Sequence, residues 1–176
     1  MKLYKKYGVA FWITGISGSG KSTLSKKIYT FIKKKFGPTI MLSGDNLRKI
    51  FKLNKYDKNY RMKVSKQYTK LLKLIIANKI NVLFSTVSLF HEVHKYNRKQ
   101  LKNYIEIFID ANFKKTELRK QKFFYKTKID NVWGRDIKAE YPQNPHVVIR
   151  NNFKKNKNFL SEQLKKKINK LMLKFI

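Results

Sequence analysis

A lysine and a serine follow a cluster of glycines near the start of the chain. Residues 15–22 read GISGSGKS and match the pattern G-x-x-x-x-G-K-S at every fixed position. Glycines at these positions let backbone N–H groups turn inward around a phosphate, and a helix that begins at the lysine adds its positive end. Lys21 can place a charge on the β- and γ-phosphates, and the Ser22 hydroxyl can bind Mg²⁺. The segment predicts a nucleoside triphosphate site.

The residues of this loop that we expect to bind ATP are Gly15, Ser17, Gly18, Ser19, Gly20, Lys21, Ser22 and Thr23. Lys21 is also a predicted catalytic residue, and Ser22 is the predicted metal ligand. The motif indicates a phosphate donor and leaves the acceptor open.

A second group of chemically capable residues lies in SGDNLR, residues 43–48. Asp45 would follow a strand close to the glycine loop, where a carboxylate can orient an acceptor hydroxyl, take its proton, or reach Mg²⁺ through water. Arg48 could bind an anionic acceptor with its forked guanidinium. The structural alternative is an aspartate that caps a helix, followed by a solvated arginine. Position alone leaves both interpretations open.

The elements that would position these residues alternate between strand and helix. Predicted strands cover 8–14, 39–43, 80–86, 104–110 and 145–151, and predicted helices cover 21–35, 57–79, 91–103, 113–121 and 158–175. Apolar strands in this alternation predict an α/β fold: one three-layer α/β/α domain over 1–176 with a mainly parallel five-stranded sheet. Such sheets bind ligands at the carboxyl ends of their strands.

The charge balance is strongly basic, with 42 Lys and Arg residues against 10 Asp and Glu, a formal net charge of +32. This charge could indicate a nucleic-acid or membrane partner. The lysines are spread over the whole chain beside many asparagines and isoleucines, which favours a compositional bias instead. Cysteine is absent, so disulfides, thiolate metal sites and a cysteine nucleophile are excluded. Apolar runs are too short to span a bilayer, and we expect a cytoplasmic protein.

Five segments together resemble the adenylylsulfate (APS) kinase family in order and spacing. They are WITGISGSGKSTL, SGDNLR, STVSLFHEVHKYNR, YIEIFID and NVWGRDIKAEYPQNPHVVI, which span about residues 9–152. The resemblance implies a P-loop NTPase fold with ATP and Mg²⁺ as cofactors. It also implies transfer of the γ-phosphoryl to the ribose 3′-hydroxyl of a nucleotide that carries a second anionic group.

The resemblance assigns roles to individual residues. Asp45 would be the base or the metal-side carboxylate, and Ser88 matches a serine often described as a phosphoserine, so both are candidate catalytic residues. A mobile lid would cover about 119–141, with Arg119 on the ATP side. The implied substrate-binding residues are Asp45, Asn46, Arg48, Arg61, Ser88, Lys122, Trp133 and Gly134.

The departures from the family pattern fall mostly on the acceptor side. Ser43 replaces the first aspartate of D-G-D-N, Leu89 replaces a proline, and Lys120 and Phe123 replace an aspartate and a glycine of the lid. They indicate retained phosphoryl-transfer chemistry with an altered acceptor. The segments YDKNYR, FHEVHKYNR and NYIEIFID resemble the cytidine diphosphoramidate kinase branch, which serves capsule and sugar pathways. Cytidine diphosphoramidate is therefore the favoured acceptor; the alternatives are adenylylsulfate and, from another class, a nucleic-acid-binding NTPase.

Two further expectations concern metal ions and partners. His91 and His94 lie three positions apart on a predicted helix and could suggest a metal pair. Without a third ligand nearby, we interpret them as polar residues at the surface or on the acceptor side. The expected partner is a small-molecule nucleotide, and because APS kinases are often dimers, the resemblance carries the expectation of a homodimer.

Overall fold

The computed structural model describes residues 6–118, 133 and 136–175. The strands are β1 (Ala10–Thr14), β2 (Thr39–Ser43), β3 (Asn81–Ser85), β4 (Tyr104–Asp110) and β5 (Val147–Arg150). The helices are α1 (Lys21–Phe36), α2 (Gly44–Ile50), α3 (Lys58–Ala77), α4 (His91–Gln100), α5 (Phe113–Leu118) and α6 (Lys157–Phe175). Within these ranges, none of the helices combines the length and the apolar composition that crossing a bilayer requires.

The five strands form one sheet in the order β2-β3-β1-β4-β5, and every pair is parallel. The predicted α/β fold is confirmed. Side chains alternate across the sheet, so Trp12 of β1 packs on the side of α3 and α4, while Phe11 and Ile13 pack on the side of α1 and α6. Helices cover both faces, which explains why β1 and β3 are mostly apolar and are buried along their whole length.

The strand register brings three loops to one edge of the sheet. Ser85 at the end of β3 pairs with Ile13 of β1 on one side and with Ser43 of β2 on the other. Because all strands run in the same direction, the loops that follow β1, β2 and β3 leave the sheet side by side. The glycine loop and the Asp45 segment are therefore neighbours, as the sequence predicts.

Helix α2 was not predicted as a helix, and its cap differs from the structural alternative considered for Asp45. The N-cap is Ser43, whose Oγ accepts a hydrogen bond from the Asn46 N–H at 3.1 Å. Asp45 lies in the first turn instead, so its interpretation as the capping residue is wrong. Its carboxylate still stabilises the helix, because its negative charge interacts favourably with the partial positive charge of the helix N-terminus.

Some predicted boundaries are also wrong. The helix predicted over 91–103 ends at Gln100, because the backbone of Leu101 is already extended (φ −104°, ψ 111°). The last strand is shorter than predicted, Val147–Arg150 instead of 145–151. The end of the helix predicted over 113–121 lies outside the described residues.

A buried ionic cluster joins α4 to β4. Glu106 is fully buried, its two carboxylate oxygens contact His94 Nδ1 and Arg98 Nη2, and the Tyr104 hydroxyl donates to it at 3.1 Å. Burial alone would raise the pKa of Glu106, but hydrogen bonds and charge from His94 and Arg98 lower it below its ordinary value of 4.5. His94 is itself buried, so its interpretation as a surface or acceptor-side residue is wrong. Across the described ranges, no three metal-ligating side chains come together.

Replacing Glu106 with Gln should lower the free energy of unfolding by about 3 kcal/mol at neutral pH, because the Arg98 guanidinium and the buried His94 ring would lose their carboxylate partner. The folded-state pKa of Glu106 lies below the unfolded value, so this stabilisation is complete above about pH 4.5 and is lost as the pH falls through the folded pKa. Urea unfolding from neutral pH to about pH 3.5 should show the wild type and Glu106→Gln converging on acidification. Glu162→Gln, which alters an exposed pair with Lys165, is the control; equal losses in both variants would contradict the prediction.

Candidate functional site

The glycine loop has a backbone that requires glycine at defined positions. Gly15, Gly18 and Gly20 have φ values of 147°, 81° and 101°, which L-residues with side chains rarely adopt. A Cβ on Gly15 would also lie 2.5 Å from the carbonyl oxygen of Ile109 in β4. The loop therefore packs directly against the neighbouring strand and turns into α1, the conformation that the motif predicts.

The side chains at the start of α1 face a common cavity. Lys21 is buried, and its Nζ donates a hydrogen bond to the Ile16 carbonyl at 2.8 Å, which holds the ammonium group against the loop. Ser22 is exposed and Thr23 is half-buried, and both line the cavity together with Ser17. Backbone donors, a helix N-terminus and a lysine thus converge on one space, an arrangement that binds phosphate.

The cavity has a volume of about 260 Å³. One of its walls is formed by residues that the sequence analysis did not predict. This wall is the loop between β5 and α6 together with the start of α6, and the residues that line it are Asn151, Phe153, Lys155, Lys157 and Leu160. A sequence signal did exist: the loop follows the last strand and leaves the sheet at the edge where the glycine loop lies. The wall combines an aromatic ring with two lysines and is suited to a nucleotide.

Asp45 and Asn46 lie on the first turn of α2, and of these two only Asp45 lines the cavity. Asp45 is exposed and lines the cavity, as do Ser85 and Thr86 at the end of β3. Asn46 is exposed, and its backbone N–H bonds Ser43 Oγ. A carboxylate thus faces the predicted phosphate site, in reach of a molecule that binds beside it.

Two arginines, Arg48 and Arg61, contact the ring of Tyr56 near Asp45. The Cζ atoms of Arg48 and Arg61 lie 4.3 Å and 5.1 Å from the ring centroid of Tyr56, and Arg61 also lies 5.8 Å from the Trp133 ring. Arg48 Nη2 donates to the Lys55 carbonyl at 2.6 Å. Both Nε atoms are buried and have no hydrogen-bond partner among the described residues. The sequence predicted both arginines and missed Tyr56, because the stacking joins three separate parts of the chain.

The electrostatics of the arginine pair favour an anion. Burial, followed by the positive charge of Arg48, lowers the pKa of Arg61 to about 10. The guanidinium remains protonated at neutral pH, so two positive charges are held close together. None of the ion pairs within the described ranges includes either arginine. A bound anion would relieve their repulsion and occupy their free donors.

Ser88 lies beside the site but points away from it. Its φ is 27°, its side chain is buried, and its hydroxyl donates to Ser65 Oγ at 2.8 Å. The neighbouring Val87 lines the cavity and Ser88 does not. A phosphoryl group on Ser88 would have to replace the bond to Ser65, so its catalytic and phosphoserine roles stay predictions.

Only part of the predicted lid can be placed. Arg119, Lys122 and Gly134 lie outside the described residues. Trp133 is buried with its ring edge-on to Phe90 at a centroid distance of 4.7 Å, next to Arg61. This aromatic residue therefore lies beside Arg61, and its role in binding the acceptor stays a prediction.

The end of the predicted lid is attached to the body by Glu140. Its carboxylate accepts from the His91 N–H at 2.9 Å and from Lys58 Nζ at 3.2 Å, and its own N–H donates to the Leu89 carbonyl at 3.1 Å. The His91 N–H bond, opposed by a smaller effect of burial, lowers the pKa of Glu140. The chain that leads away from Trp133 is thereby attached to α3 and α4.

Comparisons with known proteins agree with this geometry. The family model described as adenylylsulphate kinase matches residues 7–150. The chain is 37% identical to a cytidine diphosphoramidate kinase of Campylobacter jejuni, over 92% of this chain and 95% of that protein. It is 30% identical to an adenylyl-sulfate kinase of Clostridium kluyveri, over 86% and 79% of the two chains.

A solved structure has the same fold. The APS kinase of Mycobacterium tuberculosis in complex with AMPPNP and APS superposes with a TM-score of 0.82 at 22% identity, over 93% of this chain and 98% of that one. The relatives are kinases, and the matched region holds the glycine loop, Asp45 and both arginines. The predicted resemblance is confirmed, and the chain belongs to the adenylylsulphate kinase family of phosphotransferases.

Proposed function

We propose that this chain is an ATP-dependent kinase that phosphorylates the ribose 3′-hydroxyl of cytidine diphosphoramidate. One observation carries the proposal: α2 joins the phosphate cavity to the arginine pair. Asp45 on its first turn lines the cavity, and Arg48, one turn later on the same side, stacks on Tyr56 beside Arg61. Helix α2 thus places Asp45 between the phosphate cavity, which would bind the donor, and the arginine pair, which would bind the anionic acceptor.

ATP would occupy the cavity with its phosphates in the glycine loop. Backbone N–H groups and the Lys21 ammonium would bind the β- and γ-phosphates, and Phe153 with the lysines of the opposite wall would contact the nucleoside part. These groups are held in place by the loop before the substrate arrives, so they stabilise the developing charge without reorganisation.

The residues present also fit a magnesium ion. Ser22 and Asp45 line the same cavity, and both carry the oxygen atoms that Mg²⁺ prefers, Ser22 as the direct ligand and Asp45 through a water molecule. The ion would neutralise charge on the β- and γ-phosphates during transfer.

The transfer requires one bond to form and one to break. The acceptor hydroxyl oxygen attacks the γ-phosphorus, and the bond from that phosphorus to the oxygen bridging to the β-phosphate breaks, which releases ADP. The hydroxyl proton passes to Asp45, which also orients the acceptor. Arg48 and Arg61 hold the acceptor's anionic groups, and the aromatic rings of Tyr56 and Trp133 beside them offer surfaces for its base.

The choice of acceptor is supported by similarity and chemistry together. The cytidine diphosphoramidate kinase shares more of its sequence with this chain than the adenylyl-sulfate kinases reported above. Adenylylsulfate and cytidine diphosphoramidate share an architecture, a nucleoside followed by two bridged anionic groups and a free 3′-hydroxyl. The arginine pair suits both, so the base and the terminal group distinguish them.

The direct test is ADP release with a panel of acceptors. We expect turnover with cytidine diphosphoramidate to exceed turnover with adenylylsulfate and with cytidine diphosphate at equal concentrations. Higher turnover with adenylylsulfate would make the chain an APS kinase. Salt-sensitive DNA binding without turnover of any acceptor would instead support a nucleic-acid-binding NTPase and overturn the proposal.

Removing either of two charged groups that line the cavity should strongly slow transfer. We expect Lys21→Ala to lower kcat about a thousandfold, because a charge on the transferred group is lost. Asp45→Asn should lower kcat about 10²- to 10⁴-fold, because proton transfer and orientation are lost. Lys26→Ala, on the exposed face of α1, should have wild-type kcat. Acceptor-dependent turnover that survives both Lys21→Ala and Asp45→Asn would place the active site elsewhere.

The arginine pair should affect the acceptor and not the donor. Arg48→Gln and Arg61→Gln should each raise the acceptor KM by about ten- to a hundredfold, through loss of charged hydrogen bonds, while the KM for ATP stays unchanged. Lys49→Gln removes an exposed positive charge next to Arg48 and serves as the control for general electrostatic attraction. A parallel rise in both KM values would contradict an acceptor role.

A further inference from the structure

We infer that Asn151 is a positioning residue that sets the orientation of the phosphate-binding loop. This inference rests on the proposed function, because it takes the cavity to bind ATP. Asn151 lies directly after β5, lines the cavity, and is 8% exposed. It is separated by 132 positions from the loop residue that it contacts.

The side-chain amide of Asn151 is used at both ends. Its Nδ2 donates to the Ser19 carbonyl at 2.9 Å, and its Oδ1 accepts from the Phe153 N–H at 3.0 Å. These two partners define which end of the amide is nitrogen, because a carbonyl can only accept and an N–H can only donate. The Asn151 backbone N–H also donates to the Asp110 carbonyl at 2.7 Å, so the residue is held at three points.

The bond to Ser19 controls a backbone donor of the glycine loop. In a trans peptide the C=O and the following N–H point in opposite directions. Holding the Ser19 carbonyl therefore fixes the direction of the Gly20 N–H, one of the groups that this motif presents to phosphate. Gly20 has φ 101°, a conformation that glycine adopts easily but also leaves easily. An external hydrogen bond removes that freedom.

The same residue connects the two walls of the cavity. Asn151 contacts the glycine loop on one side and, through Phe153, stabilises the turn of the opposite wall, whose side chains line the same space. A Cβ on Gly20 would lie 3.1 Å from Asn151 Nδ2, so the two segments are in close contact. The side chain of Asn151 thus connects the glycine loop to the wall formed by the loop between β5 and α6.

The test uses variants that lack the Asn151 Nδ2 group, which donates to the Ser19 carbonyl. Asn151→Asp is isosteric and keeps an acceptor for Phe153, but places an oxygen against the Ser19 carbonyl. Asn151→Ala removes both bonds without adding charge. The control is Asn152→Asp, which adds the same charge one residue away, where the exposed Asn152 Oδ1 accepts from the Lys154 N–H and Asp can do so too.

We expect both Asn151 variants to raise the KM for ATP about tenfold and to leave the acceptor KM unchanged. Thermal unfolding without nucleotide should remain cooperative in all variants, with a lower Tm in the Asn151 variants, whereas the rise in Tm that ATP produces should shrink in the Asn151 variants only. A full wild-type rise in Tm with ATP in either Asn151 variant would overturn the inference, and so would an equal loss in Asn152→Asp. If ATP fails to stabilise the wild-type chain, the proposed function fails instead.

Discussion

The central strand β1 is the constraint on which the rest of the structure depends. It is buried along its whole length and pairs in parallel with β3 on one edge and β4 on the other. A strand held on both edges cannot shift its register without moving every apolar side chain to the wrong face. The glycine loop begins where this strand ends, and Gly15 packs against the backbone of β4. The position of the phosphate site is therefore set by the core.

The second organising feature is a local excess of positive charge at the carboxyl edge of the sheet. Lys21, Arg48 and Arg61 are at least half-buried there, and the walls add further lysines. Buried cations are costly unless something compensates their charge. Among the described residues, Asp45 is the one acidic residue that lines the cavity, and under the proposed function bound phosphates would supply the remaining negative charge. Under the proposed function, the same field would attract anionic nucleotides from solution.

Rigid and adjustable parts of the site are built from different interactions. The proposed donor side rests on backbone geometry, with glycines at positive φ and the bond from Asn151 to the Ser19 carbonyl. The proposed acceptor side is formed instead by the side chains of Arg48 and Arg61, which stack on Tyr56 and, for Arg61, on Trp133. Ser43, one of the departures from the family pattern, caps α2 with its hydroxyl.

The sequence by itself determined the order of the elements, the parallel sheet and the donor site. Those features follow from local patterns, because apolar runs define buried strands and G-x-x-x-x-G-K-S defines a loop within eight residues. It also predicted Arg48 and Arg61 as substrate-binding residues, because the segments that contain them resemble the adenylylsulfate kinase family. Helix α2 and its Ser43 cap were missed, because a helix this short shows no periodicity in the sequence.

Other features were decided only by the tertiary structure. His94 reads as a surface residue until Glu106 is brought to it from another strand, and Asn151 carries no motif until the fold places it against Ser19. The physical reason is the same in both cases. A hydrogen bond between residues far apart in the chain depends on distances of a few ångströms, and these distances are set by how sheet and helices pack, which no local spacing of residue types records.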